Sequence, residues 1–306
     1  MKILVTGGAG FVGCVLTPLL VNKGHHVVVY DSLLYGVDGL LFDFLYNKFR
    51  VIRGDVRDKS KLTEACKGVD AVVHLAALVG YPICKKDERL AFEINVGGVR
   101  ALTGATDAPI VFASTGSCYG NLEEVCREDS PLEPKTIYGQ TKAMAEQALQ
   151  ERGDYVIYRF ATGYGVSPRL RLDLLINDFC YRAVRDHNLI VYERKFRRTF
   201  IHVYDMARAF VFALENFDKI RNQIFNVGSE EMNLSKQHVA EYIRKKVPFY
   251  LHYADVGHDE DQRDYEVSYE KMRSFGFSPL VSLERGVDQL IRLFQVFELP
   301  PRYSNV

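Results

Sequence analysis

Short, continuous apolar runs alternate with amphipathic stretches along the first half of the chain. The runs are uniformly apolar, whereas the stretches between them repeat apolar residues at helical spacing. The pattern predicts strands at residues 2–6, 26–30, 49–53, 70–75, 109–113 and 155–160. It predicts helices between them at residues 12–23, 59–67, 91–105 and 138–152. This alternation indicates an α/β fold whose parallel sheet is covered by helices on both faces.

The alternation of apolar runs and helical stretches becomes less regular after Gly165. A helical stretch rich in arginine and aspartate is predicted over residues 169–188. Strands follow at residues 199–203, 224–227 and 250–253, and helices at residues 205–215, 235–246 and 283–297. We expect a core over residues 1–165, to which residues 199–228 return, and a smaller mixed α/β lobe from residues 166–198 and 229–306. Such a lobe would cover the carboxyl edge of the sheet, where ligands bind in open α/β folds.

Composition narrows the classes of protein to consider. Acidic and basic residues balance at 39 each, so we expect no nucleic-acid partner, which would require a basic surface. No apolar run approaches the roughly 18 residues of a membrane span, and the chain opens on a strand pattern without a signal peptide. The six cysteines are scattered without a C-x-x-C pair. We therefore expect reduced thiols, no metal site and a cytoplasmic location.

A glycine-rich motif, TGGAGFVG, follows the first predicted strand and opens the first predicted helix. Gly7, Gly10 and Gly13 would allow a tight turn, close approach of the backbone to a pyrophosphate, and close packing of helix on strand. Phe11 and Val12 would lie beside the same ligand. An ordinary glycine-rich turn is the alternative, but the strand–turn–helix context favours a dinucleotide site in a doubly wound sheet of Rossmann type.

Acidic and small residues end the next strands. Asp31, followed by Ser32, could accept hydrogen bonds from the adenosine ribose and would repel the extra phosphate of NADP, so we predict NAD. A turn is the alternative role for this aspartate. Asp55 could accept a hydrogen bond from the adenine amino group, with Val56 against the ring, although a solvated loop is an equal alternative for Asp55. The residues that would let a cofactor lie close to the backbone are Leu75, Ala76 and Ala77.

The candidate catalytic residues are Tyr138, Lys142 and Thr115. Tyr138 and Lys142 are four residues apart, which places them on one face of a helix. An ammonium close to a phenol lowers the pKa of the phenol from about 10 and makes it a usable base for a sugar hydroxyl. Thr115 ends the fifth strand and could hydrogen-bond the reacting oxygen, whereas the neighbouring Ser114 and Ser117 are expected to stabilise a turn.

Together these motifs resemble the extended short-chain dehydrogenase/reductase family, specifically its NAD-dependent nucleotide-sugar epimerases and dehydratases. The matching stretches, in the family's order, are TGGAGFVG, Asp31, GDV, HLAA, Asn95, STGSCYG, YGQTK, RRTFIHVYDMARA and NVGS. The resemblance implies that Tyr138 is the base, that Lys142 positions a tightly bound NAD, and that Thr115 assists. It also implies that Asn95 belongs to the cofactor site, that the substrate is a GDP- or UDP-linked sugar, and that the protein is a homodimer joined through a four-helix bundle.

The resemblance also assigns residues to the substrate. It implies that the diphosphate meets Asn177, Arg198 and Arg263, and that Thr162 stands in the sugar pocket in place of the family's asparagine. Arg169 and Arg171 could meet a sugar or a phosphate, or could pair with Asp173 and Asp178 instead. Residues 167–179 are similar to capsule-pathway enzymes that oxidise C4 of GDP-linked heptoses.

Two departures from the family pattern refine this expectation. Gly116 and Ser117 stand where 4,6-dehydratases carry an aspartate and a glutamate, which disfavours dehydration, and Thr199 replaces an aspartate. We therefore predict NAD-dependent oxidation at C4 of a nucleotide-diphosphate sugar by a 4-dehydrogenase or 4-epimerase. One alternative is a 4-keto-sugar reductase, with Tyr138 as the acid. Another is a non-catalytic NAD-sensing protein of the same fold, although such proteins have typically lost the tyrosine and lysine.

Overall fold

A parallel sheet forms the centre of the structure. The computed structural model describes residues 1–121, 124–254, 264–298 and 305. Its strands are β1 Lys2–Thr6, β2 His26–Asp31, β3 Phe49–Arg53, β4 Ala71–His74, β5 Ile110–Thr115, β6 Tyr155–Phe160, β7 Thr162–Tyr164, β8 Asn188–Tyr192, β9 Arg197–His202, β10 Gln223–Val227, β11 Asn233–Ser235 and β12 Tyr250–Ala254. Seven of them form the main sheet in the order β10-β6-β5-β4-β1-β2-β3, and all its neighbouring strands are parallel.

Helices pack against this sheet and around the smaller sheets. They are α1 Gly13–Asn22, α2 Lys59–Ala65, α3 Tyr81–Lys86, α4 Glu88–Phe92, α5 Gly98–Thr103, α6 Ile137–Arg152, α7 Leu175–Tyr181, α8 Val203–Glu215, α9 Phe217–Ile220, α10 Lys236–Arg244, α11 Glu270–Ser274 and α12 Leu283–Val296. Turns of 3-10 helix lie at Asp38–Leu45, Gly116–Cys118 and Glu230–Met232, and π-helical turns at Glu93–Gly97 and Arg182–Asp186. In the described part of the chain, none of these helices combines the length and apolarity needed to cross a bilayer.

The predicted Rossmann-type architecture is confirmed. All six strands predicted in the first half are present. Five of them are apolar on both faces and are buried by the sheet from both sides, whereas β3, with two arginines, forms its partly exposed edge. The predicted helix 91–105 continues through Gly97 and Gly98 instead of breaking there. A Cβ on Gly98 would lie only 2.7 Å from a methyl group of Val56, so this glycine lets the helix pack closely on the loop that follows β3.

The prediction of a helix over residues 169–188 is wrong at its start. The α-helix begins at Leu175, ends at Tyr181 and continues as the π-helical turn Arg182–Asp186, and β8 begins at Asn188. Residues 169–174 form bends and a turn instead of a helix. The amide of Asn177 donates to the carbonyl of Arg171 (2.9 Å) and accepts from the N–H of Gly165 (2.9 Å), which holds the stretch outside a helix.

The segment 199–228 returns to the core only in part. Strand β10 adds to the edge of the main sheet beside β6, and α8 packs against α1. Strand β9 instead pairs with β7 and β11 in a separate three-stranded sheet. A second apolar cluster, drawn from residues 164–294, surrounds that small sheet and includes Phe200 of β9. The division of the chain into a core and a smaller lobe stays a prediction.

A buried ion pair fixes α6 against the main sheet. Arg159 of β6 donates to both oxygens of Glu146 on α6, with Nη2–Oε2 at 2.8 Å and Nε–Oε1 at 3.1 Å. The two side chains are 4% and 1% exposed. The hydroxyl of Ser114 on β5 also donates to Glu146, and Arg159 Nη1 donates to the hydroxyl of Tyr119 (3.0 Å). This network sets the position of α6 relative to the carboxyl ends of β5 and β6.

The pair provides a test of what holds α6 in place. Replacing Arg159 with leucine would leave the Glu146 carboxylate buried without its cation, so we expect the free energy of unfolding to fall by about 3–5 kcal/mol at pH 7. The matched control is Arg127→Leu, because Arg127 pairs with Glu270 at the surface with 57% and 66% exposure. That variant should lose less than about 1 kcal/mol. Equal losses in urea denaturation would show that the buried pair has no special part in stability.

Candidate active site

A cavity opens where the strands of the main sheet end. It is bounded by the turn after β1, the ends of β2, β4, β5 and β6, the first turns of α6, and the segment after β7. Strand order reverses between β1 and β4, and ligands in open α/β sheets bind at such a reversal. The residues predicted from the sequence that line this cavity are Gly7, Gly10, Phe11, Val12, Gly13, Asp31, Ser32, Asp55, Val56, Leu75, Ala76, Ala77, Thr115, Tyr138, Lys142, Thr162, Arg169 and Arg171.

The glycine turn after β1 brings its backbone close to the end of β4. Gly7 has φ of 72°, and a Cβ there would lie 2.6 Å from the backbone nitrogen of Ala76. A Cβ on Gly13 would lie 2.5 Å from Cα of Gly8, so the start of α1 also requires a glycine. Helix α1 begins without a side-chain cap and with no acidic residue in its first turn. The positive end of the helix dipole therefore faces the cavity, which suits an anionic diphosphate.

Asp31 links the end of β2 to the glycine turn. Its carboxylate accepts hydrogen bonds from the N–H of Ala9 (2.9 Å) and the N–H of Leu33 (2.8 Å). Burial raises the pKa of Asp31, and these two backbone donors oppose that effect. A carboxylate has about four acceptor positions, so two remain for hydroxyl groups of a ligand in the cavity. The geometry therefore fits the predicted contact with a ribose.

Asp55 is held by a neighbour that the sequence analysis did not consider. The side chain of Arg57 donates to it through Nη2 (2.7 Å) and Nε (3.0 Å), and these hydrogen bonds hold the pKa of Asp55 below its usual value. The carboxylate is therefore ionised and already paired, so a contact with adenine would share it with Arg57. Val56 is buried beside it and presents an apolar wall to the cavity.

Asn95 lies behind the cavity wall in the described structure. Its side chain is 1% exposed; the oxygen accepts from the N–H of Leu78 (2.8 Å) and the nitrogen donates to the carbonyl of Leu78 (3.0 Å). The same nitrogen donates to the hydroxyl of Thr141 (3.0 Å), the residue before Lys142. Asn95 thus joins the loop after β4 to α6 and supports the cavity indirectly.

Helix α6 carries Tyr138 and Lys142 into the cavity from its first two turns. The hydroxyl of Thr136 caps the helix by accepting from the N–H of Gly139 (3.1 Å). Lys142 is 2% exposed, and its Nζ lies 4.3 Å from the ring centre of Phe112. Within the described residues, this ammonium has neither a carboxylate nor a hydrogen-bond acceptor as partner. Burial lowers the pKa of Lys142 to about 8.

His74, at the end of β4, does not add a second positive charge. It is 1% exposed, and its Nδ1 lies 2.7 Å from the hydroxyl of Thr6. Burial, with a smaller effect from Lys142, lowers the pKa of His74 to about 3, so its ring is neutral near pH 7. The cation at this end of the cavity is therefore the Lys142 ammonium, which lines the cavity.

Thr115 ends β5 at the cavity, opposite the start of α6. Its hydroxyl accepts from the N–H of Ser117 (3.2 Å) and donates to the hydroxyl of Ser117 (3.2 Å). These hydrogen bonds hold the Thr115 side chain at the carboxyl end of β5. The prediction that Ser117 stabilises a turn agrees with these hydrogen bonds. The same prediction for Ser114 is wrong, because the hydroxyl of Ser114 donates to the buried carboxylate of Glu146.

The segment after β7 crosses the start of α1 and covers the glycine turn. Ser167 donates to the carbonyl of Phe11 (2.7 Å), which anchors the segment there. The guanidinium of Arg169 lies 4.4 Å from the ring centre of Tyr35 and donates to the side chain of Asn305 (2.8 Å). Arg171 pairs with Asp173. This segment therefore places two guanidinium groups at the same cavity as the glycine turn.

The other predicted phosphate contacts lie away from this cavity as the described residues define it. Asn177 is completely buried and uses its amide on backbone groups of Gly165 and Arg171. Arg198 is 3% exposed on β9, within the smaller sheet. Arg263 lies outside the described residues. Asp178 pairs with Arg182 (2.7 Å) and not with the arginines of the cavity.

Sequence reasoning missed several residues of the site. Glu146 follows Lys142 by one helical turn, so helical spacing could have identified it as a neighbour of the lysine. Tyr35, Arg57 and Ser167 gave no signal, because their contacts join segments far apart in the chain or depend on the conformation of a loop. Asn305, near the end of the chain, reaches Arg169 across more than a hundred residues of sequence.

The fold and the cavity define a dinucleotide-binding protein of the extended short-chain dehydrogenase/reductase type. Residues 3–228 match the model of the NAD-dependent epimerase/dehydratase family, and the chain belongs to that family. Family membership confirms the resemblance found in the sequence and the prediction that NAD is the cofactor.

Relatives with known names lie in the same family. CDP-paratose 2-epimerase of Salmonella typhi is 27% identical over 95% of this chain and 98% of its own length. A UDP-glucose 4-epimerase of Corynebacterium glutamicum is 31% identical over 78% of each protein. Among solved structures, UDP-glucuronic acid 4-epimerase of Bacillus cereus, in complex with UDP-glucuronic acid and NAD, is 26% identical with a TM-score of 0.87 over 96% of this chain and 99% of that one.

The burial of the Lys142 ammonium leads to a prediction about how stability depends on pH. Its pKa falls from 10.5 to about 8, so the folded chain binds this proton more weakly than the unfolded chain does. This weaker binding lowers the free energy of unfolding by its full amount below pH 8 and has no effect on it above pH 10.5. Since a tenfold change in proton affinity is worth about 1.4 kcal/mol, we expect Lys142→Met to stabilise the NAD-free protein at pH 7 by up to about 3 kcal/mol.

Urea denaturation of NAD-free protein at pH 7 and at pH 10.5 measures this effect. The advantage of Lys142→Met over wild type should shrink as the pH rises, while the variant binds NAD more weakly than wild type at both values. The control is Lys61→Met, on the exposed face of α2, which should change stability little at either pH. A Lys142→Met protein that is less stable than wild type at pH 7 would contradict the assignment of an unpaired buried ammonium.

Proposed function

We propose that this protein oxidises C4 of a nucleotide-diphosphate sugar, with NAD as the hydride acceptor, and that it acts as a 4-epimerase or a 4-dehydrogenase. The observation that carries the proposal is the convergence of Thr115, Tyr138 and Lys142 on one cavity with the glycine turn. A strand end and a helix start bring a hydroxyl, a phenol and an ammonium beside the place where a dinucleotide fits. With NAD as the hydride acceptor, these three side chains are sufficient to oxidise a secondary alcohol.

The cavity fits NAD because of features of this chain. The backbone approach at Gly7 leaves space that a side chain would fill, and the uncapped start of α1 would face the pyrophosphate. Asp31 would hold the adenosine ribose, and Lys142 would donate to the hydroxyls of the nicotinamide ribose. Bound NAD supplies a hydride acceptor.

The chain's own residues then handle the proton. Tyr138, as phenolate, takes the proton of the C4 hydroxyl as hydride leaves C4, and the C4–O bond becomes a carbonyl. Thr115 would turn its hydroxyl from Ser117 to the reacting oxygen, donate to that oxygen and keep it in line with Tyr138. The Lys142 ammonium favours the phenolate form of the tyrosine because it lies in a buried site where charges interact strongly. Return of hydride to the opposite face of the ketone gives a 4-epimerase, and release of the ketone gives a 4-dehydrogenase.

Dehydration is a poor fit to this cavity. At position 116, where a dehydratase would carry an acidic side chain, a Cβ would lie 3.2 Å from the hydroxyl of the buried Tyr265. A larger side chain at position 116 would require Tyr265 to shift by a few tenths of an ångström, and this tight contact adds to the absence of the acidic pair at positions 116 and 117. This supports an enzyme that stops at the keto sugar or returns hydride to it, in preference to one that eliminates water.

The substrate within this proposal is a GDP- or UDP-linked sugar. Named relatives act on CDP- and UDP-linked sugars, and their names support a nucleotide sugar in general. The similarity of residues 167–179 to enzymes that oxidise GDP-linked heptoses makes a GDP-heptose the first compound to test. We also propose a homodimer joined through a four-helix bundle, as the family resemblance implies.

The proposal predicts a specific phenotype for Tyr138→Phe. Loss of the proton acceptor should lower kcat by roughly 10²–10⁴-fold on any active nucleotide sugar, with the bound dinucleotide retained. Turnover is followed by NADH absorbance and product stereochemistry during anaerobic incubation with GDP-heptose, GDP-mannose, UDP-glucose and UDP-glucuronic acid. Dinucleotide content is measured by mass spectrometry after denaturation.

The matched control is Tyr204→Phe, which removes an exposed hydroxyl from α8 and should leave kcat unchanged. Activity of Tyr138→Phe equal to that of wild type would refute the role of this phenol. Lack of any reaction of the wild type with the whole panel of sugars would count against a nucleotide-sugar substrate.

A further inference from the structure

Large apolar side chains are concentrated on one exposed segment beside the cavity. Seven of the 18 exposed large hydrophobic residues in the described chain fall within residues 34–46. Their exposures are 66% for Leu34, 38% for Tyr35, 57% for Leu41, 82% for Phe42, 58% for Phe44, 77% for Leu45 and 38% for Tyr46. We call these seven side chains the 34–46 surface. Scattered exposed apolar residues need no explanation, but a contiguous group of this size does.

The segment is held firmly in this outward arrangement. A 3-10 helix covers Asp38–Leu45, so residues three apart share a face, and Leu40 and Asp43 point inward with 0% and 3% exposure. Gly39 sits directly on α1, where a Cβ would collide with the sulfur of Cys14. The ring of Phe44 also contacts Phe49 of β3 edge to face, with centroids 5.2 Å apart. The fold therefore fixes the apolar side chains outward.

The area of this surface matches one side of a protein interface. With about 150–250 Å² for each fully exposed large side chain, the seven side chains together present on the order of 800 Å² to solvent. The largest apolar patch on a typical monomer is about 300–600 Å², whereas each partner in a stable complex buries about 800 Å². Leaving such a surface in water would also favour aggregation.

The charge pattern of the segment selects among the classes of partner. Residues 33–47 contain no lysine or arginine and two aspartates, one of which, Asp43, is buried. Exposed basic residues flank the segment on one side only, at Lys48 and Arg50, so a membrane surface, which favours basic residues all along the apolar side chains, is a poorer fit. A strongly charged partner is also a poor fit, since this surface offers little charge to complement. An apolar face of this size fits a copy of itself in a two-fold contact.

We propose that a second copy of this chain docks on the 34–46 surface. Leu34 and Tyr35 also line the cavity, and the Tyr35 ring lies against the Arg169 guanidinium. The second copy would therefore lie over the cavity mouth at the end of β2. This contact is separate from the helix contact suggested by the family resemblance, and it does not depend on which reaction the cavity supports.

Sedimentation velocity on the full chain over a range of concentrations tests this proposal. The variant Phe42→Ser/Leu45→Ser changes two side chains that contribute little to the fold because they are exposed. We expect the mass of its assembly to be half that of wild type. The control Leu280→Ser/Val296→Ser removes apolar side chains of similar exposure, 65% and 73%, elsewhere on the surface and should keep the wild-type mass.

Cross-linking provides a second measurement in case the double variant folds poorly. All six native cysteines are buried, so Leu45→Cys introduces an accessible thiol onto an otherwise unreactive chain. A short bis-maleimide should join two chains of Leu45→Cys and few chains of Leu280→Cys. The proposal is overturned if the double variant keeps the mass of wild type or if both cysteine variants cross-link equally. It is also overturned if wild type sediments as a monomer, including one that binds phosphatidylcholine–phosphatidylserine vesicles through this surface.

Discussion

A buried lysine ammonium that has no ion-pair partner among the described residues is the constraint on which the rest of the site depends. Lys142 lies over the face of Phe112 and is 2% exposed, in surroundings that favour loss of its proton. Such a group is costly to bury, because burial removes its water without supplying an acceptor. A dinucleotide ribose in the cavity would offer two hydroxyls to the donors of Lys142.

The surrounding structure places this cation next to Tyr138. The ion pair between Glu146 and Arg159 fixes the helix that carries both residues, and Asn95 ties the same helix to the loop after β4. On the other side of the cavity, the glycine turn approaches the end of β4 so closely that only glycine fits at position 7. Two rigid elements thus face each other across a space that is open to a long, flat, anionic ligand. The segment that contains Ser167 and Arg169 lies next to the glycine turn and bounds the same space.

Much of this arrangement could be predicted from the sequence, and the reasons for success and failure differ by residue. The strands of the main sheet were predictable because burial on both faces leaves a continuous apolar signal, and the catalytic candidates were predictable because a helix and a glycine motif impose fixed spacings. Residues 169–174 were mistaken for part of a helix because they run without a break into the helical stretch that follows, although their charges at 169, 171 and 173 alternate with leucines at a period of two. Their conformation is set by Asn177 and by the cavity, which no local pattern reveals. The ion pair between Asp55 and Arg57 could not be predicted from the sequence either, because it depends on the conformation of the loop.

The central claim is that the cavity removes hydride from C4 of a nucleotide sugar. It is tested most directly by isotope transfer: wild-type protein with bound NAD is mixed with GDP- and UDP-sugars that carry deuterium at C4 or, in parallel, at C3. The reaction is quenched within a single turnover, and the mass of the reduced dinucleotide is measured. The account predicts one deuterium on the dinucleotide from the C4-labelled sugar and none from the C3-labelled sugar. Deuterium from C3, or unlabelled reduced dinucleotide from both sugars, would contradict it.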